Sequence, residues 1–103
     1  MRQEEFKVLI HELDKIAKAT MDLKQPEYTS ENENVLHNFV TTGERLNISA
    51  LKVWGIFMEK QISSINAHIN NCNINRAESI ESRFADVLNY AYLGLALFKE
   101  RDK

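Results

Sequence analysis

A chain of 103 residues with one Pro, three Gly and one Cys is long enough for one domain with one core, and too poor in turn residues for a β-rich fold. Its 44% apolar and 27% charged residues fit a globular chain, and a net charge of −2 with no block of either sign excludes nucleic-acid binding by bulk charge. The longest apolar run, Tyr90–Phe98, is far short of the roughly 20 residues that span a bilayer, the first residues lack the apolar core of a signal peptide, and the lone Cys72 excludes an internal disulfide; the expected setting is the cytoplasm, away from membranes.

The pattern predicts an all-α bundle of four helices. The first runs from about Gln3 to Leu23, with Phe6, Leu9, Ile10, Leu13, Ile16, Ala17 and Met21 on one face. Pro26 should end it, because the residue before a proline is pushed out of helical geometry, and a loop from Gln25 to Ser30 carries Tyr28. Ser30 with Glu33 forms a capping-box pattern for a second helix from about Glu31 to Leu46, whose stripe is Val35, Leu36, Phe39, Gly43 and Leu46.

Asn47-Ile48 makes a corner, and Ser49 caps a third helix that reaches about Asn70. Its seam is Leu51, Gly55, Met58, Ile62, Ile65 and Ile69, with Trp54 beside it. Asn70–Asn73 reads as a loop, and Asn75 with Glu78 as the cap of a fourth helix from about Arg76 to Arg101. The main stripe of that helix is Ile80, Phe84, Val87, Ala91, Leu95 and Phe98. Its second half is apolar all the way round, as in a helix that is central or faces a second subunit, so a homodimer or higher homo-oligomer is expected.

Function is sought where this pattern breaks. Beside the main stripe of the fourth helix runs a second column, Ser79, Arg83, Asp86, Tyr90, Leu93 and Leu97, which places Arg83 and Asp86 at the edge of a buried surface. A carboxylate there must be paired or liganded. On the third helix, opposite the seam, Lys60 lies among Val53, Ile56, Phe57 and Ser64, within reach of Asp86 across two packed helices. Two readings stand side by side: a structural ion pair, or a polar pocket in which Lys60 and Arg83 bind an anion and Asp86 a cation or hydroxyl. Glu78, Glu81 and Asp86 invite a metal reading. Against it, Glu81 points about 140° away from Asp86, Glu78 has a capping role and the third helix offers only Glu59, so no metal ligands are assigned.

Other motifs fall away. The stretch Glu44–Trp54 has the outline of a helix-turn-helix, but its second helix presents Val53, Trp54, Ile56, Phe57 and Met58, which makes DNA an unexpected partner. His11, His37 and His68 lie on three helices without ligand spacing, Cys72 has no basic neighbour, and no phosphate loop or nucleophile elbow is present, so no catalytic residue is assigned.

From Lys24 onward the layout matches a Lys-x-x-Asp-Tyr start, an acidic stretch before Asn-Phe, a Trp-containing helix with a central Lys, and a final Glu-x-x-x-x-Arg-x-x-Asp-x-x-Asn-Tyr. The matching residues are Lys24 and Tyr28, Asn38 and Phe39, Trp54 and Lys60, then Glu78, Arg83, Asp86, Asn89 and Tyr90. Over about three quarters of its length the chain resembles the nucleotide modification associated proteins of phages, which look like distant relatives of MazG-type all-α nucleotide pyrophosphatases. Glu27 replaces the Asp before Tyr28, and the paired Glu-Glu-x-x-Glu that holds Mg²⁺ in the MazG-type enzymes is absent from the third helix. The resemblance thus implies an all-α fold, a phage or prophage source and a nucleotide ligand, without implying hydrolysis.

Two functions follow as expectations. In the first, the protein binds or processes a nucleotide between the third and fourth helices: Lys60 and Arg83 meet phosphate, Asp86 orients a hydroxyl or metal with Asn89 alongside, and Tyr28 or Tyr90 stacks on the base. A hydrolytic version would use Mg²⁺ and a water nucleophile. In the second, the protein is a non-enzymatic factor that binds and inhibits a host protein, for example one of host defence, through a helical surface.

Overall fold

The computed structural model describes residues 1–29, 34–70 and 79–103, the side chains of 24–29 excepted. It contains four helices, α1 (Gln3–Thr29), α2 (His37–Leu46), α3 (Ala50–Ile69) and α4 (Ile80–Arg101), and no strand among the described residues. The architecture is all-α. None of these helices is long and apolar enough to cross a membrane.

Three boundaries differ from the sequence expectation. α1 continues through Pro26 to Thr29, so Tyr28 belongs to a helix and not to a loop. Proline has no N–H to donate one turn back, and here that missing bond does not end the helix. α2 begins at His37, six residues later than expected. The Leu36 N–H donates to Asn34 Oδ1 at 3.0 Å and the His37 N–H to the Asn34 carbonyl at 3.1 Å, and this side-chain-closed turn sets the start of the helix. α4 begins at Ile80 with Ser79 as its N-cap, the Ser79 Oγ accepting from the Ser82 N–H at 3.2 Å. The capping boxes Ser30–Glu33 and Asn75–Glu78, together with Cys72, lie outside the described residues.

The α2–α3 corner is built as expected. Asn47 adopts left-handed geometry at φ 60°, its N–H donates to the Glu44 carbonyl and the Ile48 N–H to the Gly43 carbonyl at 2.9 Å, a Schellman closure. A Cβ on Gly43 would lie 2.6 Å from the Ile48 carbonyl oxygen, so only glycine permits this close turn. Ser49 then caps α3, accepting from the Lys52 N–H at 3.1 Å.

Leu36, Phe39, Val53, Leu93 and Leu97 form the buried core, with Met21, Ile48, Trp54, Phe57 and Tyr90 packed around it. Trp54 meets Tyr90 and Gly94 while Gln61 meets Arg83, so α3 runs antiparallel to α4. Ala17 meets Asn89, and Phe6–Ile16 lies beside Ile80–Phe84, so α1 runs parallel to α4.

The two most regular stripes in the sequence do not form this core. On α4 the buried residues are Ala85, Asp86, Asn89, Leu93, Gly94 and Leu97, whereas Phe84, Ala91, Leu95 and Phe98 are exposed. α3 buries Val53 and Gln61, while Ile62 and Ile69 of the expected seam are exposed and a Cβ on Gly55 would meet nothing within 4 Å. α1 buries Ala17, and Phe6, Leu9, Ile10 and Ile16 stay exposed; Val35, before α2, and Leu46 at its end do likewise. The reason lies in particular contacts. Trp54 packs where Gly94 has no side chain, and its Nε1–H donates to the Tyr90 carbonyl at 2.6 Å, which turns the inner side of α4 toward α3.

Candidate functional site

Only Gln61, Asp86 and Asn89 are buried polar side chains among the described residues, and they mark the place where chemistry was expected. Asp86 is 6% exposed, and Arg83, one turn earlier on the same helix, holds its Nη2 3.4 Å from Asp86 Oδ2. The Arg83 Nη1–H donates to Gln61 Oε1 of α3 at 3.1 Å. Three residues beyond Asp86, the Asn89 Nδ2–H donates to the Ala17 carbonyl at 2.9 Å, tying α4 to the middle of α1. Gln61, Arg83, Asp86 and Asn89 thus form a polar seam along the inner side of α4. It compensates buried polar groups and fixes where α1 and α3 lie on α4.

Lys60 does not join this seam. It is exposed on α3, with its ammonium 5.8 Å from the centroid of the Phe57 ring, so the expected contact with Asp86 is replaced by the Arg83–Asp86 pair. One residue along a helix is a 100° turn, and that turn separates the outward Lys60 from the inward Gln61. Gln61 was legible in principle, because it stands four residues from Phe57 and seven from Trp54, on the face that both share. Tyr90 packs its ring flat on Phe57, centroids 6.2 Å apart and planes 7° apart, and Phe57 meets Phe39 edge-on at 6.0 Å. Tyr28 lies on α1, its side chain outside the described residues.

The carboxylates are dispersed. Asp86 is inside, Glu81 lines a groove on the outer side of α4, Glu59 lines a concavity on α3, and Glu78 lies outside the described residues. No group of three His, Cys, Asp or Glu gathers among the described residues. On α1, the Asp14 carboxylate accepts from Lys18 Nζ at 2.8 Å, and that bond together with the Asp14 charge holds the Lys18 ammonium above its ordinary pKa of 10.5.

Three concavities bounded by described residues lie away from the polar seam. A groove of about 460 Å³ between α1 and α4 is walled by Phe6, Leu9, Leu13, Ile16, Ile80 and Phe84, with Glu12 and Glu81 on its margin. A shallow depression on α3 is lined by Lys52, Gly55, Ile56, Glu59, Lys60 and Ser63. A cleft of about 290 Å³ lies where Leu36, Val40 and Leu51 meet Leu97 and Arg101.

No family model, no curated protein and no solved structure matches this chain.

Proposed function

We propose that this chain is a small, non-catalytic helical interaction protein, phage-encoded as its resemblance implies, that binds a host protein by seating an amphipathic helix in the α1–α4 groove. The observation that carries this reading is the groove itself. Phe6, Leu9, Ile16 and Phe84 remain 40–52% exposed around a concavity of about 460 Å³, where an isolated soluble domain would cover them. Glu12 and Glu81 on its margin select a partner helix flanked by Lys or Arg. Of the residues on which a nucleotide site was expected, Arg83, Asp86 and Asn89 are engaged with one another, with Gln61 or with the α1 backbone.

The test compares the wild type with Leu9→Glu, which places a charge in the groove wall without touching the core. A host protein retained by the wild type and lost by the variant, with the helical content of both unchanged, supports the reading. Equal retention by both, or none by either, overturns it.

The nucleotide reading keeps one observation in its favour: Lys52, Lys60 and Ser63 share one concave surface on α3, where a phosphate would meet two ammonium groups. Thermal unfolding with a panel of nucleotides, with and without Mg²⁺, decides it. Stabilisation that Lys60→Ala removes would establish this second reading, and no shift with any nucleotide would end it.

A further inference from the structure

We propose that the exposed stripe of α4 packs antiparallel against the same stripe of a second copy, on a two-fold axis through Ala91. Three features of the stripe point to a copy of itself as the occupant.

The first is its symmetry. Phe84 and Phe98 stand seven residues before and after Ala91, and Val87 and Leu95 four before and after. An isologous contact needs a patch complementary to itself, and an antiparallel pair of helices centred on Ala91 meets that need. Phe84 then faces the partner's Phe98, Val87 faces the partner's Leu95, and the smallest side chain of the stripe sits on the axis, where the helices approach most closely.

The second is charge. Glu81 and Lys99 lie on the same edge of the stripe, each about 80° round the helix from Ala91. They stand at nearly equal distances from it in opposite directions, and both are exposed. The two-fold operation sets Glu81 beside the partner's Lys99 at both ends of the contact.

The third is area. Phe84 is 45% exposed, Leu95 59% and Phe98 42%. With roughly 150–250 Å² for a large side chain, these three leave on the order of 300 Å² of apolar surface. The half-buried Ile80 and Val87 extend the stripe, which supplies much of the apolar share of a standard interface of about 800 Å² per partner. Polar flanks with an uninterrupted apolar centre match the anatomy of such an interface.

Light scattering on the full chain reads the assembly directly. The expected mass is twice 12.0 kDa, falling to 12.0 kDa for Leu95→Glu, with the far-ultraviolet circular dichroism of the variant unchanged because Leu95 lies outside the core. The register is read by cross-linking in a Cys72→Ser background. Ala91→Cys should form a disulfide dimer on mild oxidation, while Lys15→Cys, exposed on α1, should remain monomeric on denaturing gels. A wild-type mass of 12.0 kDa up to the solubility limit overturns the dimer. A dimer that survives Leu95→Glu, or that Ala91→Cys does not cross-link, overturns this interface and this register. The contact shares Ile80, Glu81 and Phe84 with the α1–α4 groove, so a second copy and a host helix would compete for them. Leu9→Glu, on the α1 wall of the groove, should leave the dimer mass unchanged while abolishing host-protein retention, which distinguishes the two.

Discussion

Gly94→Ala tests the contact that orients α4. A Cβ at Gly94 would lie 2.6 Å from both Cε2 and Cζ2 of Trp54, well inside van der Waals contact. The indole cannot simply withdraw, because its Nε1–H donates to the Tyr90 carbonyl at 2.6 Å and its ring packs against the core cluster. Forcing a methyl into a packed site costs about 1–3 kcal/mol. Stretching or losing the indole bond costs about 0.5–1.5 kcal/mol more. Alanine returns about 0.5–1 kcal/mol of helix propensity, which leaves a net loss of about 2 kcal/mol, or a fall in melting temperature of roughly 10 °C for a domain of this length. Urea denaturation followed by circular dichroism at one fixed protein concentration measures the loss, and the fluorescence of the single Trp reports the displaced indole directly. In a Trp54→Leu background the clash is gone and the same substitution should become stabilising by about 0.5–1 kcal/mol, so the double-mutant cycle changes sign. A neutral or stabilising Gly94→Ala in the native background, or the same sign in both, would refute the reasoning.

Further expectations concern the polar seam and the surface. Asn89→Ala removes the bond to the Ala17 carbonyl and leaves a small void, a loss of about 2 kcal/mol in chemical denaturation. Amide exchange should accelerate around Ala17 in α1 more than in α3, and uniform acceleration would contradict the clamp. Arg83→Met leaves the Asp86 carboxylate buried at a cost of about 3 kcal/mol, and Arg83→Met/Asp86→Leu should cost less than the sum of its singles; additivity would mean that the pair is not coupled. At the surface, the Lys18 ammonium is held above pKa 10.5, so its pair with Asp14 contributes fully below pH 10.5 and is lost as pH rises through the raised value. Asp14→Asn should bring the Lys18 titration, followed by NMR, down to the ordinary value.

The number and order of helices were legible in the sequence because they follow from residue types acting locally. Apolar spacing, the Ser49 cap and the Asn47 corner each work within one turn, and the structure shows all three. The inward side of each helix was less legible, because it depends on partners distant in the chain. α4 is apolar on both sides, and the choice between them rests on Gly94 meeting Trp54 and on Asn89 meeting the Ala17 carbonyl, contacts that span 40 and 72 residues. The same limit governs the candidate site. Arg83 and Asp86 were found because a charge beside an apolar column must be compensated, and they do compensate each other. Lys60 was read as their neighbour because helix phase alone cannot separate a residue on the margin of a buried face from one within it. Gln61, being uncharged, gave no such alarm.

A helix with two apolar sides can join two layers, and the proposed dimer supplies the second for α4. The inner side of α4 is packed by α1 and α3, with α2 joining through the core cluster, and in the proposed dimer the outer side is covered by a second copy. The consequence is thermodynamic as well as structural. Among the described residues only Ala17, Leu36, Phe39, Val53, Ala85, Leu93 and Leu97 are buried as apolar residues, so in the proposed dimer association would add to a small internal core. Burying the apolar stripe on both copies would favour the proposed dimer, against association costs of about 4–15 kcal/mol that keep buried area from converting directly into affinity. Any net gain couples the stability of the fold to protein concentration. The thermal midpoint of the wild type should therefore rise by several degrees over a hundredfold increase in concentration, while that of Leu95→Glu should be lower and independent of concentration. A midpoint insensitive to concentration in both would show that the small core suffices alone, and that the symmetric stripe on α4 contributes nothing to holding the fold.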